Sequence, residues 1–187
     1  MSTAAVPVSS ASVWSIDQSH SSIHFKVRHL MISNVKGAFG SFRGTLNYNE
    51  SDITRSSIDV EIDASSINTR EADRDTHLKS ADFLDVARYP TLHFRSHSVG
   101  AVHSKSFRLS GELTIHGVTR EIAFDVDGPS AVAKDPWGNL RMAASAIAKI
   151  NRKDFGLTWN AALEAGGFVV GDEVTIDLDL EFMKSKS

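Results

Sequence analysis

The segment that decides the fold of this chain reads Glu173-Val174-Thr175-Ile176-Asp177-Leu178-Asp179-Leu180-Glu181-Phe182, with polar and large apolar side chains in strict alternation. Successive side chains of a β-strand point to opposite faces, so the segment predicts a strand with one apolar and one polar surface. Eight stretches of the chain show this period of two. Because each such strand must bury one face, the pattern predicts an all-β barrel closed around a shared apolar interior.

The same alternation places the other strands. In the strand at 35–48, the apolar face changes parity near Gly40 and Ser41, which predicts a β-bulge. Thr69 precedes a highly charged stretch, which predicts a capped helix. Residues 81–86 predict a second turn or a short helix, so that one helical insert lies near residues 69–87. The predicted strands are a short edge strand at 13–17 and strands at 21–30, 35–48, 57–67, 91–99, 107–116, 118–126 and 140–150.

Length and composition indicate a single soluble globular domain over residues 13–187, preceded by a disordered tail over residues 1–12. The net charge of −3 gives no basic surface typical of nucleic-acid binding. The absence of cysteine excludes disulfides and thiolate metal sites. No stretch has the length of a membrane span, and the first residues lack the features of a secretory signal, so we expect a cytoplasmic protein.

An up-and-down path through these strands sorts the connections between the two ends of the barrel. One rim receives the turn at 31–34, the helical insert and the long loop at 151–170, whereas the other receives shorter connections. Long irregular loops in compact domains are typical of working sites. The mouth of the barrel is therefore predicted at the rim that carries the long loop.

Five motifs in one order give the chain a resemblance to a known family. They are Ile16-Asp-Gln-Ser-His20 with His29, Val35-Lys-Gly37-Ala-Phe39 through Gly44, Arg74-Asp-Thr-His77 through Pro90, Gly111-Glu-Leu-Thr-Ile-His116-Gly117, and Ile150-Asn-Arg152-Lys-Asp154-Phe155-Gly156. This set resembles the YceI family of lipocalin-like proteins over nearly the whole chain. The resemblance implies an eight-stranded antiparallel barrel, an interior pocket for a polyisoprenoid or fatty amide, frequent dimers and no catalysis. Many relatives are periplasmic, whereas no export signal is seen here.

Small residues at inward positions favour an open lumen, and they are Gly37, Gly44, Gly111 and the alanines at 144, 146 and 148. The alternative is a barrel filled by its own side chains, in which the glycines are only closure kinks. The predicted lumen residues are Phe25, Val27, Phe39, Phe42, Leu46, Val60, Phe94, Leu113, Phe124, Ala144, Ala146, Ala148, Ile176 and Leu178.

Polar and aromatic residues at the predicted mouth are candidates for contacts with a ligand head group. They are His29, Met31, Arg70, Arg74, Arg152, Phe155 and Trp159. Each has a structural alternative: His29 as an ordinary rim histidine, Arg152 with Asp154 as the anchor of the long loop, and the aromatic residues as packing against the insert.

Two chemical hypotheses receive less support from the residues. His93 and His97 share an outward face without a carboxylate at ligand spacing, so we predict no metal and no other cofactor. The charged residues at 70–77 contain acids and bases that could serve hydrolysis, but no nucleophile motif accompanies them, and such helices are typically solvated.

The sequence therefore predicts a non-catalytic carrier or sequestering protein for one long-chain apolar amphiphile, an isoprenoid or a fatty acid derivative. Nucleic acid and stable membrane insertion are not expected, and the family resemblance implies a homodimer as one assembly. The alternatives are a lipid-modifying or hydrolytic enzyme that uses the 70–77 segment, and an interaction protein with a solid core.

Overall fold

The computed structural model describes residues 11–186, and within that range β-strands are the main regular structure. One α-helix, α1 (Ala72–Lys79), interrupts the strands. The strands are β1 (Ala11–Ile16), β2 (Ser22–His29), β3 (Ser33–Phe39), β4 (Phe42–Asn49), β5 (Ser57–Asp63), β6 (Ile67–Asn68), β7 (Thr91–His103), β8 (Ser106–Ile115), β9 (Val118–Asp127), β10 (Ala133–Lys134), β11 (Leu140–Asn151) and β12 (Val170–Lys184).

These strands close into an eight-stranded antiparallel barrel, as predicted. The long strand β12 closes it, because it pairs with β11 along one edge and with β1 and β2 along the other. Three positions in the wall are each filled by two short strands in succession, namely β1 with β2, β3 with β4, and β5 with β6. The path is up and down, since neighbouring wall positions are consecutive in sequence.

The predicted change of face lies at Gly40 and Ser41, between β3 and β4. Register places Gly37 opposite Phe25, whereas Gly44 lies opposite Val60. Odd-numbered residues therefore face inward in β3 and even-numbered residues in β4. The interruption lets one wall segment bend without exposing the apolar face of either half.

Strand β1 corrects two predictions. It lies between β4 and β12 rather than at an edge, because β12 is long enough to pair with β1 beyond the end of β2. It also begins at Ala11, so the last two residues of the predicted disordered tail belong to the barrel. The rest of that tail, residues 1–10, lies outside the described residues.

The helical insert is shorter than predicted. Glu71, not Thr69, is the N-cap, and its carboxylate accepts hydrogen bonds from the amides of Asp73 and Arg74 at 3.2 and 2.6 Å. Residues 81–86 form turns, which is one of the two predicted alternatives, and the amide of Leu84 donates to the carbonyl of Leu78 at 3.0 Å. The segment is therefore one short helix followed by a compact turn.

Strand direction sorts the connections into two rims. The loop-rich rim comprises residues 30–32, 69–90, 116–117 and 152–169, and the opposite rim comprises residues 50–56, 104–105 and 128–139. This arrangement agrees with the predicted path. None of the helices between residues 11 and 186 has the length and apolarity that a bilayer span requires.

Candidate functional site

The barrel encloses a cavity of about 260 Å³ that runs along its axis. Leu78 and Leu157 line it at the loop-rich rim, and Ile53 and Pro129 line it at the opposite rim. Within the described part of the chain, the atoms exposed on its wall are apolar. The side chains of the barrel therefore leave room for a slender ligand. Binding in the cavity would remove the apolar surface of such a ligand from water, which is favourable.

The predicted lumen residues mostly meet at this cavity. Those that line it are Phe25, Val27, Phe39, Leu46, Val60, Phe94, Leu113, Phe124, Ala144, Ala146, Ile176 and Leu178. Phe42 and Ala148 differ from the prediction: both are buried, but neither lines the cavity. Each has inward parity, yet its side chain packs into the core.

The space in the lumen comes from alanines rather than glycines. Ala144 and Ala146 lie opposite Leu180 and Leu178 of β12, and both line the cavity. A Cβ atom at Gly37 would collide with the ring of Phe25. Likewise, a Cβ atom at Gly111 would collide with the ring of Phe94 and with backbone, and one at Gly44 would meet Ile16. The three glycines thus accommodate neighbouring atoms, which corrects the prediction that they widen the lumen.

Sequence reasoning missed the lining residues of the helical insert. Leu78, Phe83 and Leu84 line the cavity from the loop-rich rim. They are among the few apolar residues of a strongly charged segment. Their isolation in that segment was the feature of the sequence that could have indicated burial against the lumen. The insert therefore covers the end of the lumen with apolar side chains, while none of the charged residues at 69–90 lines the cavity.

An aromatic cluster joins this insert to the long loop. The ring of Trp159 lies 4.6 Å from that of His77 and 5.3 Å from that of Phe83. The imidazole of His77 also lies 2.9 Å from a carboxylate oxygen of Asp82. We call His77, Phe83 and Trp159 the rim cluster. It holds together the two segments that cover the lumen, so Trp159 is a packing residue outside the cavity wall.

Arg152 is the one predicted mouth residue that lines the cavity. It is 3% exposed, and its guanidinium donates to the carbonyls of Gly171, Leu157 and Trp159 at 2.9, 2.5 and 2.9 Å. Burial lowers the pKa of this group, while Asp172 opposes that effect. Because its donors are used by main-chain carbonyls, Arg152 primarily anchors the long loop.

The other predicted mouth residues lie around the loop-rich rim without lining the cavity. Met31 is 60% exposed, Arg70 is exposed with a positive φ of 64°, and His29 is partly exposed at the end of β2. Phe155 differs from the prediction, since it is 1% exposed and lies in the core. A ligand role for this rim stays a prediction.

Charged residues at 70–77 form hydrogen bonds within the insert itself. Arg74 donates to the hydroxyl and carbonyl of Thr69 at 2.7 and 2.9 Å, so this predicted mouth residue fixes the start of the segment. The Thr69 hydroxyl in turn donates to Asp75 at 2.6 Å. Within the described chain, no ionisable side chain of residues 70–77 lines the cavity.

Two histidines of the outer surface lie within hydrogen-bond distance of carboxylates. His93 lies 2.8 Å from Asp59, and His97 lies 2.6 Å from Glu121. Among residues 11–186, one group brings metal-ligand atoms together, namely Asp17, His20 and Glu181. Arg141 already bonds both carboxylates of that group. The predicted lack of a metal stays a prediction.

Comparison with known proteins gives the family. The model of the YceI-like domain matches residues 14–182. The chain belongs to the YceI-like family. A UPF0312 protein of Vibrio cholerae is 38% identical over 138 residues, which are 74% of this chain and 72% of that protein.

Two solved structures show the same fold. Burkholderia cenocepacia BcnA superposes with a TM-score of 0.76 at 20% identity, over 89% of this YceI-like chain and 98% of BcnA. A polyisoprenoid binding domain from Saccharophagus degradans gives a TM-score of 0.66 at 17% identity, over 92% and 98% of the two chains. At these identities the likeness concerns the barrel itself.

Proposed function

We propose that this YceI-like protein binds one long-chain apolar amphiphile within its barrel and carries or sequesters it. The observation that carries the proposal is the cavity of about 260 Å³ with an apolar wall that runs along the barrel axis. Small-molecule sites commonly measure about 300–1,000 Å³, so the lumen suits one slender chain. The inward alanines of β11 make that space.

Apolar burial alone is a sufficient source of affinity. Removing about 300 Å² of ligand surface from water contributes on the order of 8 kcal/mol, before the losses of association and ordering. The ionisable groups near the loop-rich rim support binding rather than turnover, because Arg152 bonds main-chain carbonyls and the charged residues at 70–77 do not line the cavity. The proposal is therefore a non-catalytic role.

The chemical class of the ligand is proposed from the family. The Saccharophagus degradans neighbour is described as a polyisoprenoid binding domain, and a polyisoprenoid is a linear chain of methyl-branched apolar units that suits an axial cavity. We propose a prenyl or fatty acyl chain with its polar end at the loop-rich rim. The cytoplasmic location and the homodimer also remain proposals, to be tested by cell fractionation and sedimentation equilibrium.

Native mass spectrometry of freshly purified protein tests the proposal. We expect a complex with one apolar molecule per chain, which organic extraction releases for identification. Protein that is purified empty should instead bind a fluorescent fatty acid saturably at one site per chain. Empty protein that binds neither a fatty acid nor a prenol would contradict the carrier role.

A further inference from the structure

Apolar side chains are exposed at the loop-rich rim, beside the covered end of the lumen. Leu30, Met31 and Ile32 form the turn between β2 and β3 and are 36%, 60% and 76% exposed. Phe168, in the long loop, is 57% exposed. The amide of Leu30 donates to the carbonyl of Val169 at 2.9 Å, so the turn and the loop are held together. We call Leu30, Met31, Ile32 and Phe168 the apolar tip.

Cations without acidic partners lie directly behind this tip. Lys26, Arg28 and Lys36 are exposed on the outer faces of β2 and β3. Among the ion pairs of residues 11–186, none includes any of the three. Arg28 bonds the carbonyl of Met31 at 3.0 Å, which places its charge at the base of the turn.

The two lysines are direct cross-strand neighbours in the β2–β3 register. Like charges in this position destabilise a sheet, so their pairing indicates a use for the charge outside the fold. On β12, the residue opposite Lys26 is Thr175, and Asp177 lies one step further from the tip, opposite His24. Nearer the tip, Glu173 pairs with Lys149 at 2.9 Å and Asp172 pairs with Lys153 at 2.9 Å. The charges of Lys26, Arg28 and Lys36 are therefore left without an ion-pair partner among residues 11–186.

We propose that the β2–β3 hairpin docks the barrel on an anionic lipid surface, with the apolar tip in the headgroup region. Exposed apolar side chains bordered by Lys and Arg are the features by which peripheral proteins bind such surfaces. Strands rise by roughly 3.3 Å per residue, so Lys26 lies about 13 Å behind Leu30, within reach of lipid phosphates when the tip is inserted. The docking does not depend on what the lumen holds.

Cosedimentation with vesicles tests the proposal. We expect binding to vesicles of phosphatidylcholine and phosphatidylglycerol, weakened by added salt, and far weaker binding to phosphatidylcholine alone. Ile32→Ser should weaken binding roughly tenfold, through lost apolar burial. Lys26→Gln and Lys36→Gln should each weaken it roughly fivefold.

Matched controls come from the opposite rim. Trp137 is 82% exposed in the turn between β10 and β11, close to the exposed Lys134. Trp137→Ser and Lys134→Gln should leave vesicle binding unchanged. Ala146→Trp, which fills the lumen, should also leave it unchanged, and this outcome separates docking from uptake of a lipid chain.

Three results would overturn the proposal. One is an absence of binding to anionic vesicles by the unmodified protein. Another is binding that depends on Trp137 and not on Ile32. The third is a dimer in sedimentation equilibrium that Ile32→Ser dissociates without lipid, since the tip would then be an interface between two copies of the chain.

Discussion

Arg152 is a buried cation whose hydrogen bonds go to the main chain of the long loop. Replacing it with methionine keeps the apolar part of the side chain and leaves the carbonyls of Leu157, Trp159 and Gly171 without their donors. Buried polar groups left unpaired are expensive, so we expect the free energy of unfolding to fall by about 3 kcal/mol. Urea denaturation measures the change.

The neighbouring Lys153 supplies the control for that prediction. Its ammonium lies 2.9 Å from Asp172 and is 45% exposed, so Lys153→Met should change stability by less than about 1 kcal/mol. Equal effects of the two substitutions would show that the charge near Asp172, rather than the carbonyl contacts, is what matters.

Arg141 joins three acidic groups near the opposite rim. It donates to Asp17, Asp135 and Glu181 at 2.5, 2.8 and 2.6 Å, and these hydrogen bonds hold the pKa values of Asp17 and Asp135 well below their ordinary value of 3.8. A carboxyl group with a depressed pKa in the folded state stabilises the protein above its unfolded-state pKa, and this contribution is lost as the pH falls through the folded-state value.

We therefore expect Arg141→Gln to be less stable than the parent protein near neutral pH. The difference should shrink progressively as the pH falls below 3.8. Urea denaturation at a series of pH values measures it, with the exposed pair of Arg43 and Glu61 as the control through Arg43→Gln. A difference that stays constant with pH would contradict the role of these carboxylates.

Single residues also show where prediction from sequence stops. Thr69 has the residue type of an N-cap, yet its hydroxyl bonds Asp75 and Arg74, and Glu71 caps the helix instead. Phe155 ends the short 3₁₀ helix Arg152–Phe155, yet it lies in the core at 1% exposed, beside the bond from Arg152 to the carbonyl of Leu157. Both outcomes depend on tertiary partners that local sequence does not specify.

At the level of elements, the rim cluster joins the helical insert to the long loop. Removing Trp159 as Trp159→Ala deletes both of its ring contacts, with His77 and Phe83. Such pairs contribute roughly 0.5–1.5 kcal/mol each beyond area burial, so local opening of the insert should become roughly tenfold more frequent.

Hydrogen exchange measures that opening at the amides of Leu84 and Val86, which bond the carbonyls of Leu78 and Lys79. These amides should exchange faster in Trp159→Ala, whereas those of β8 and β9 should be unchanged. Trp137→Ala, at the opposite rim, is the control. Global acceleration of exchange would show that Trp159 supports the whole barrel instead of the rim.

The elements themselves were largely predictable, because a period of two is a local property. The alternation located the strands, and its change of parity located the interruption at Gly40 and Ser41. The position of β1 was not predictable, since it depends on β12 extending beyond β2. Likewise, β9 and β11 pair only at the three positions 145–147 of β11. No local pattern in the sequence predicts that this pairing is so short.

For the whole molecule, the lumen is the feature on which function depends. The alternation of inward and outward residues predicted most of the cavity wall, because the inward side chains of a closed barrel meet in its interior. The cover formed by Leu78, Phe83 and Leu84 was missed, since its residues come from an irregular segment. The space attributed to Gly37 and Gly111 was also misjudged, because aromatic rings from neighbouring strands fill it.

Filling the lumen should abolish ligand binding while leaving the barrel intact. Ala146 lines the cavity and the adjacent Ile147 is 46% exposed on the outer face, so Ala146→Trp and Ile147→Trp form a matched pair. We expect Ala146→Trp to weaken binding of a fluorescent fatty acid at least tenfold, with an overpacking cost of about 1–3 kcal/mol. Ile147→Trp should bind normally, and a reversal of the two would place the site elsewhere.

Contacts between a bound chain and the barrel interior test the central claim most directly. Isotope-filtered NOE spectra of methyl-labelled protein with unlabelled farnesol should connect the prenyl chain to Ala144, Ala146, Ile176 and Leu178, whose side chains line the cavity. The outward Ala143 and Ile147 of the same strand should show no such contacts. Contacts confined to outward residues, or none when farnesol is in excess, would contradict binding within the barrel.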